Sequence, residues 1–520
     1  MQNYPSSTVF ITKLRTFTTN FQTTNNLNIS TMNTIKDLEP NGIWKNFYSL
    51  TQIPRPSKKE AKVVAFLKQW GEDHGFETIV DEIGNVIIRK PATPGMENRK
   101  GVVLQAHMDM VPQKNADKVH DFENDPIETY IEDGWVKANG TTLGSDDGMG
   151  VAAAMAVLES TDIAHGPVEA LFTIDEETGM TGANELKPGL LKGDILMNMD
   201  SETEGELYVG CAGGIDTIGT WTPTYEAVPA NMVAYRLFVK GLKGGHSGMD
   251  INLGRANANK VLNTMLLMAA EKYGLRLACI DGGSLRNAIP REALAIVVVP
   301  ADKEAEFKAF AAEYETIVKE QFAGIEPELA IECTATEMPA QVIDVNTQNN
   351  LFCGIAQYPN GVIAMSKDFE GTTETSSNLA TIKMEDGKIV CAALTRSLVD
   401  AEKDKLAEAI RKNLTDNGAE AYSTGDYPGW KPNIDSPILN TMKAIYKEKF
   451  GKEAKVMVIH AGLECGILGS KYPHWDMVSF GPTLVHPHSP DEALLIESVK
   501  PFWEFVIETL KNIPEKEVIA

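Results

Sequence analysis

A chain of 520 residues exceeds what one hydrophobic core can organise, so length alone predicts two or more domains. Acidic residues outnumber basic ones 72 to 48, and the net charge of −24 disfavours nucleic acid and anionic membrane as partners. The 43% hydrophobic and 23% charged content is that of a globular protein, and no apolar run approaches the ~20 residues of a membrane span.

Residues 1–31 are rich in Thr and Asn, carry Lys13 and Arg15, and contain no acid. They lack the Arg density of a transit peptide and the continuous apolar stretch of a secretory signal, so they read as a disordered extension. The first clear helix is predicted from about Lys58 to His74, with Val63, Phe66, Leu67 and Trp70 at helical spacing and Gly75 as its stop. Short apolar strands then follow at 101–106, 168–174 and 195–199. Between the first two lies a Gly/Ala-rich helix, about 148–158, whose small residues allow close packing on a sheet. Strands alternating with helices predict an α/β fold with a mostly parallel central sheet.

After Gly213-Gly214 the pattern changes. Val233, Tyr235, Leu237 and Val239 alternate as in a strand with one exposed face. Helices are predicted near 255–273, 302–322 and 400–417, with strands near 292–299 and 388–395. The buried-strand pattern returns after Tyr427-Pro428-Gly429-Trp430, notably at Met477–Phe480. The expected organisation is a discontinuous catalytic domain, 32–213 and 429–520, interrupted by an α+β unit at 214–428. Six cysteines lie far apart without a Cys-x-x-Cys pair, so free thiols in a reducing, cytoplasmic setting are expected rather than a disulfide scaffold.

Polar clusters stand directly after the predicted buried strands: His107-Met108-Asp109, Gly144-Ser145-Asp146-Asp147-Gly148, Asp175-Glu176-Glu177, and Asp200-Ser201-Glu202. A fifth, His486-Pro487-His488-Ser489-Pro490-Asp491-Glu492, follows the strand near Val478. One histidine before a loop, or one Glu-Glu pair, reads as solvated surface. Five clusters at strand ends are different, because ligands of open α/β sheets bind at the carboxyl ends of the strands. So many carboxylates in one cleft repel one another unless cations neutralise them. Mixed imidazole and carboxylate donors suit zinc, or cobalt or manganese.

These motifs also resemble a family, the aminoacyl-histidine dipeptidases of the dinuclear zinc exopeptidase clan. The resemblance is carried by LQAHMDMVPQK, TTLGSDDGMGVAAA, DEETGMTGA, NMDSE, GGHSGMDI, SLRNAIPREA, HAGLECG and GPTLVHPHSPDE, in order from about residue 40 to 500. It implies a zinc-exopeptidase-like catalytic domain whose insert serves as a lid. His107 and Asp200 would bind one metal ion, Glu177 and His488 the other, and Asp146 would bridge them. Asp109 would orient His107, and Glu176 would act as general base. A cis peptide is implied at Asp146–Asp147. In the lid, His246 would hydrogen-bond the oxyanion, in a homodimer across to the partner subunit's site. Asn287, Arg396 and Gly462 would hold the substrate, with Arg396 on its C-terminal carboxylate.

The implied activity is metal-dependent hydrolysis of dipeptides, Xaa-His dipeptides among them. A tripeptidase or an N-acyl amino-acid deacylase shares the chemistry. A non-catalytic, metal-stabilised peptide-binding relative would have lost the base or a ligand, yet all are present. A two-carboxylate glycosidase leaves His107 and His488 idle. His74, His120, His165 and His474 read as ordinary residues. Spacing alone separates neither His486 from His488 nor settles His460.

Overall fold

The computed structural model describes residues 34–516, so the extension expected at 1–31 lies outside the described residues. Apolar side chains segregate into two large cores. One draws on both ends of the sequence, from Ile35 to Ala212 and from Tyr427 to Ile513, with Leu398. The other gathers residues between Trp221 and Ala419.

The first core surrounds an eight-stranded sheet ordered Glu77–Val80, Val86–Lys90, Val168–Thr173, Val102–His107, Ile195–Asn198, Asp476–Ser479, Glu206–Cys211, Lys455–Ile459. The middle strands run parallel, whereas the pairs that join Glu77–Val80, Val86–Lys90 and Val168–Thr173 are antiparallel, as is the short contact of Asp476–Ser479 with Glu206–Cys211. The sheet is therefore mixed at its margins. Its central strands Val102–His107 and Val168–Thr173 are buried at every position, which is why they read as continuous apolar runs rather than alternating ones.

The helix expected at 148–158 is there and wholly buried. The Asp147 carboxylate accepts the Gly150 N–H at 3.0 Å, supplying the acceptor that starts the helical turns. Asp146 and Asp147 precede them in non-helical conformations, and the peptide between them is cis. The helix expected from Lys58 begins instead at Ala61. Lys58 has a positive φ of 68°, and the Glu60 carboxylate turns to the N–H groups of Lys58 and Asp175.

A small four-stranded sheet, ordered Leu484–Val485, Ala493–Leu495, Trp135–Ala138, Thr129–Glu132, was not expected. It pairs Leu494 with Val136, and so sets the loop after Ala138 beside the loop before Ala493. The second core lies under an antiparallel nine-stranded sheet, whose central members include Thr373–Glu385, Lys388–Ser397 and Gly213–Trp221. Within it, the alternation expected at Val233, Tyr235, Leu237 and Val239 holds from Tyr235 on, with Arg236 and Phe238 partly open, but Val233 is partly open and Ala234 buried instead. Helices Ala258–Tyr273, Glu304–Gln321 and Asp400–Asp416 match those expected in this unit. Asn41–Thr51, Val345–Gln357, Pro437–Phe450 and Ile496–Lys511 are additional. All six cysteines are free, and among the described residues no helix is long and apolar enough to cross a membrane.

Candidate metal centre

Four parallel strands end on one rim of the central sheet, and three deliver the clusters read from the sequence. Val102–His107 carries His107 as its last residue, Val168–Thr173 leads into Glu176 and Glu177, and Ile195–Asn198 leads into Asp200. The small side sheet brings in the rest, joining the loops of Asp146 and His488 across 342 positions of sequence.

Asp146 stands at the middle. Its Oδ1 lies 3.1 Å from His107 Nε2 and its Oδ2 lies 3.1 Å from His488 Nε2. His107 Nε2 also lies 3.4 Å from Asp200 Oδ1, and His488 Nε2 lies 2.9 Å from Glu177 Oε2. Each imidazole nitrogen thus faces two carboxylate oxygens, although it can offer at most one hydrogen. Donors around a tetrahedral ion with bonds of about 2.0–2.1 Å are separated by about 3.3–3.4 Å, close to these spacings. The Oε1 of Glu177 is buried without a protein partner. The donor set therefore fits a divalent cation, with His107, Asp146 and Glu177 close enough to share one.

The electrostatics agree. Burial raises the Glu176 carboxyl well above the usual range; His107 opposes this, and Asp200, Glu177 and Glu464 add to it. Burial and Asp146 push Glu177 up to about 7, and burial lifts Asp200 to about 6. For the half-exposed His488, the neighbouring Asp146 and Glu177 outweigh burial and raise it. Asp146 and Asp109 go the other way, held down by the imidazoles they face despite their burial, so the shortage of positive charge falls on the remaining carboxylates.

Asp109 sits beside these side chains and is fully buried. Its Oδ1 lies 3.3 Å from His107 Nδ1 and accepts the Glu176 N–H at 3.0 Å. Its Oδ2 accepts the Ser57 hydroxyl at 2.8 Å. One carboxylate thereby lies beside an imidazole and anchors the loop of Glu176.

Several contributors escaped the sequence reading. Arg55, fully buried, donates to the carbonyls of Met108, Asp109 and Gly144 and ties two ligand loops together. Glu492 receives the N–H groups of Leu143, Gly144 and Ser145 and the Ser145 hydroxyl, at 2.6–3.1 Å. Its presence in the His486–Glu492 cluster was the available signal. Glu464, in the HAGLECG motif, is buried against Gln105 and Thr173, and burial pushes it up to about 7.

Across the cleft the lid contributes a second set. The His246 Nδ1 accepts the N–H groups of Gly248 and Met249, which leaves its hydrogen on Nε2. Burial and the adjacent Arg396 lower this imidazole to about 4, so it is neutral. Its Nε2 lies 3.5 Å from Arg396 Nη2. Two donors thus face each other with no acceptor between them. Arg396 is 5% exposed, and its Nε has no partner. Gly462 packs against the Tyr427 ring beside it. The exposed Asn287 stands on the neighbouring turn, where its carbonyl accepts the Ser247 N–H at 2.8 Å.

The remaining histidines separate clearly. His486 is exposed, and both His486 and His488 have positive φ, 55° and 61°, so the alternation of an extended segment does not apply. Only His488 reaches Asp146 and Glu177. His460 turns away from the carboxylates and bonds Ser376 Oγ through Nε2 at 2.7 Å. His165 is wholly buried rather than set in polar surroundings, and its Nδ1 bonds the Gly166 carbonyl.

An α/β sheet whose strand ends gather imidazoles and carboxylates, faced by a lid carrying a buried guanidinium, defines a metal-dependent hydrolase. Known proteins narrow the class. The profile of peptidase family M20/M25/M40 matches residues 103–512. The cytosol non-specific dipeptidase of Escherichia coli strain K12 is 45% identical over 93% of this chain and 100% of its own length. The structure of aminoacylhistidine dipeptidase from Vibrio alginolyticus superposes with a TM-score of 0.84 at 47% identity, covering 93% of this chain and 99% of that one. The aminopeptidase PepT structure from Bacillus cereus, at 18% identity and a TM-score of 0.56, shares the fold, over 92% of this chain and 99% of that one. The chain belongs to peptidase family M20/M25/M40 and is a metallopeptidase.

Proposed function

We propose that the chain hydrolyses dipeptides at a site holding two divalent ions, zinc in the first instance, with Asp146 shared between them. His107 and Asp200 complete one position, and Glu177 and His488 the other. The observation that carries this reading is the division of the two Asp146 oxygens between the two imidazoles. Bound there, the ions would supply an acidified water and a Lewis acid for the scissile carbonyl.

The chain's own groups do the rest. Glu176, on the loop anchored by Asp109, takes the proton of the attacking water and returns it to the leaving amine. The His246 Nε2–H donates to the oxygen that becomes negative as the carbonyl is attacked. Arg396 takes the free carboxylate of the substrate, which limits the peptide's length on that side and favours a dipeptide. Asn287 and Gly462 border the same pocket. A homodimer, in which His246 would serve the partner subunit's site, is compatible with this reading. The Escherichia coli relative is named non-specific and the Vibrio relative for aminoacyl-histidine substrates. A broad dipeptidase that includes Xaa-His substrates accommodates both, and the cytosol named for the first relative is the proposed location.

The test is Glu176→Ala, with metal content and hydrolysis measured on one preparation against a dipeptide, a tripeptide and an N-acyl amino acid. The expected result is retained metal with dipeptide turnover lowered by about 10²–10⁴-fold, the range for loss of a general base. Undiminished turnover would remove Glu176 from the mechanism, and a wild-type preference for the tripeptide or the acyl amino acid would replace the substrate assignment.

A further inference from the structure

The substrate-carboxylate pocket sits on a single row of the lid sheet. Ser376 on Thr373–Glu385 pairs with Arg396 on Lys388–Ser397. Arg396 pairs in turn with Gly214 on Gly213–Trp221, and Gly214 with Tyr427 on Glu420–Tyr427. Side chains of directly paired residues emerge on the same face, so the row reads Ser, Arg, Gly, Tyr. The third position carries no side chain, and that gap has been used. The Tyr427 phenol lies across Gly214, where a Cβ would collide with its Oη. It thereby meets Arg396, whose Nη1 donates to the Tyr427 Oη at 2.7 Å.

We propose that Tyr427 is a positioning residue for substrate selection, holding Arg396 in the orientation that recognises a free C-terminal carboxylate. This rests on the reading of Arg396 as the carboxylate anchor. The guanidinium is buried, and among the described residues no acid pairs with it. Asp216, the nearby carboxylate, is engaged by Arg286 at 2.8 Å, and the Arg396 Nε lacks any partner. An arginine without an acid partner keeps its rotamer only if something else fixes it, and the hydroxyl of Tyr427 is the group that bonds it. The bond uses the phenol oxygen as acceptor for the guanidinium. Gly462 closes the arrangement from the catalytic side, because a Cβ there would press on the Tyr427 ring at 3.1 Å from Cε2.

Tyr427→Phe keeps the ring over Gly214 and removes only the hydroxyl, so the metal-loaded full-length variant can be compared directly with wild type. The substrates are a dipeptide and the same dipeptide with its C-terminus amidated. The expected result is a rise of about fivefold to tenfold in KM for the free dipeptide, with kcat within about twofold, in the range of one lost hydrogen bond. The amide should be hydrolysed as by wild type, so the preference for acid over amide falls by the same factor. Metal content and thermal midpoint should stay unchanged. Equal losses on both substrates, or no loss on the acid, would overturn the proposal. Arg396→Gln separates the two layers of the argument. If it loses the acid preference and Tyr427→Phe does not, Tyr427 is not the positioning residue and the anchor stands. If Arg396→Gln affects acid and amide alike, the anchor falls, and the proposal with it.

Discussion

Replacing Glu492 with Gln probes how the two most distant ligand loops are held in register. The wild-type carboxylate is 2% exposed. One of its oxygens accepts the N–H groups of Leu143 at 2.8 Å and Gly144 at 3.1 Å; the other accepts the N–H and hydroxyl of Ser145 at 2.8 and 2.6 Å. Glutamine puts an NH₂ where one of these acceptors was, so two donors lose their partner and meet another donor. A hydrogen bond to a charged group is worth about 1.5–3 kcal/mol, so with local relaxation the expected loss of stability is about 3 kcal/mol. The loop that loosens carries Asp146, and metal affinity should fall about 10–100-fold, as for other residues that orient ligands. Chelator competition reads the affinity and denaturant unfolding reads the stability. Glu492→Asp, which keeps both acceptors on a shorter stem, should recover part of each. Affinity within twofold of wild type, with an unchanged unfolding midpoint, would refute the idea that this carboxylate positions Asp146.

Asp146→Asn should cost more bound metal than Asp200→Asn or Glu177→Gln, because Asp146 serves both positions and each of the others serves one; elemental analysis of dialysed protein checks this. His460 gives a pH signature. Burial, then Arg396 and His246, hold it down at about 3, against an ordinary value of about 6.5. Below pH 6.5 the unfolded chain takes a proton that the folded chain refuses, so the contribution of neutral His460 is complete above 6.5 and is lost as pH falls toward 3. At about 1.36 kcal/mol per pH unit, the loss between pH 6.5 and 5 is roughly 2 kcal/mol. His460→Asn should shrink the stability difference between those two pH values by about that amount in denaturant titrations.

His107, Glu177 and Asp200 stood out because each closely follows an apolar run, and a parallel sheet turns that local pattern into convergence at one rim; Asp146 and His488 follow no such run and are brought there by the side sheet. The choice between His486 and His488 was not legible. It depends on two positive-φ residues in a loop whose shape is set by the side sheet, and strands as short as Leu484–Val485 leave no periodicity to read. Arg55 and Ser57 lay outside any motif, since their role consists of bonds to residues about 50 positions downstream. Glu492 was visible as part of a cluster, but an acid facing backbone N–H groups looks in sequence like one facing solvent. The lid's alternation at 233–239 announced an exposed-face strand, whereas the row through Gly214 requires knowing which strands are neighbours. The helix Ile496–Lys511 was not legible despite its apolar face, because Pro501 inside it reads in sequence as a break.

The chain leaves the catalytic sheet and returns to it at adjoining points. Cys211 and Trp430 exchange backbone hydrogen bonds at 3.1 and 2.9 Å, and Gly214 pairs with Tyr427 just beyond. The whole insert therefore enters and leaves through one narrow seam, with the Ser376–His460 bond and Leu398 in the first core as further ties. A change in its length far from that seam leaves the strands that carry His107, Glu177 and Asp200 together, whereas a change beside His246 or Arg396 is inherited by both halves of the molecule.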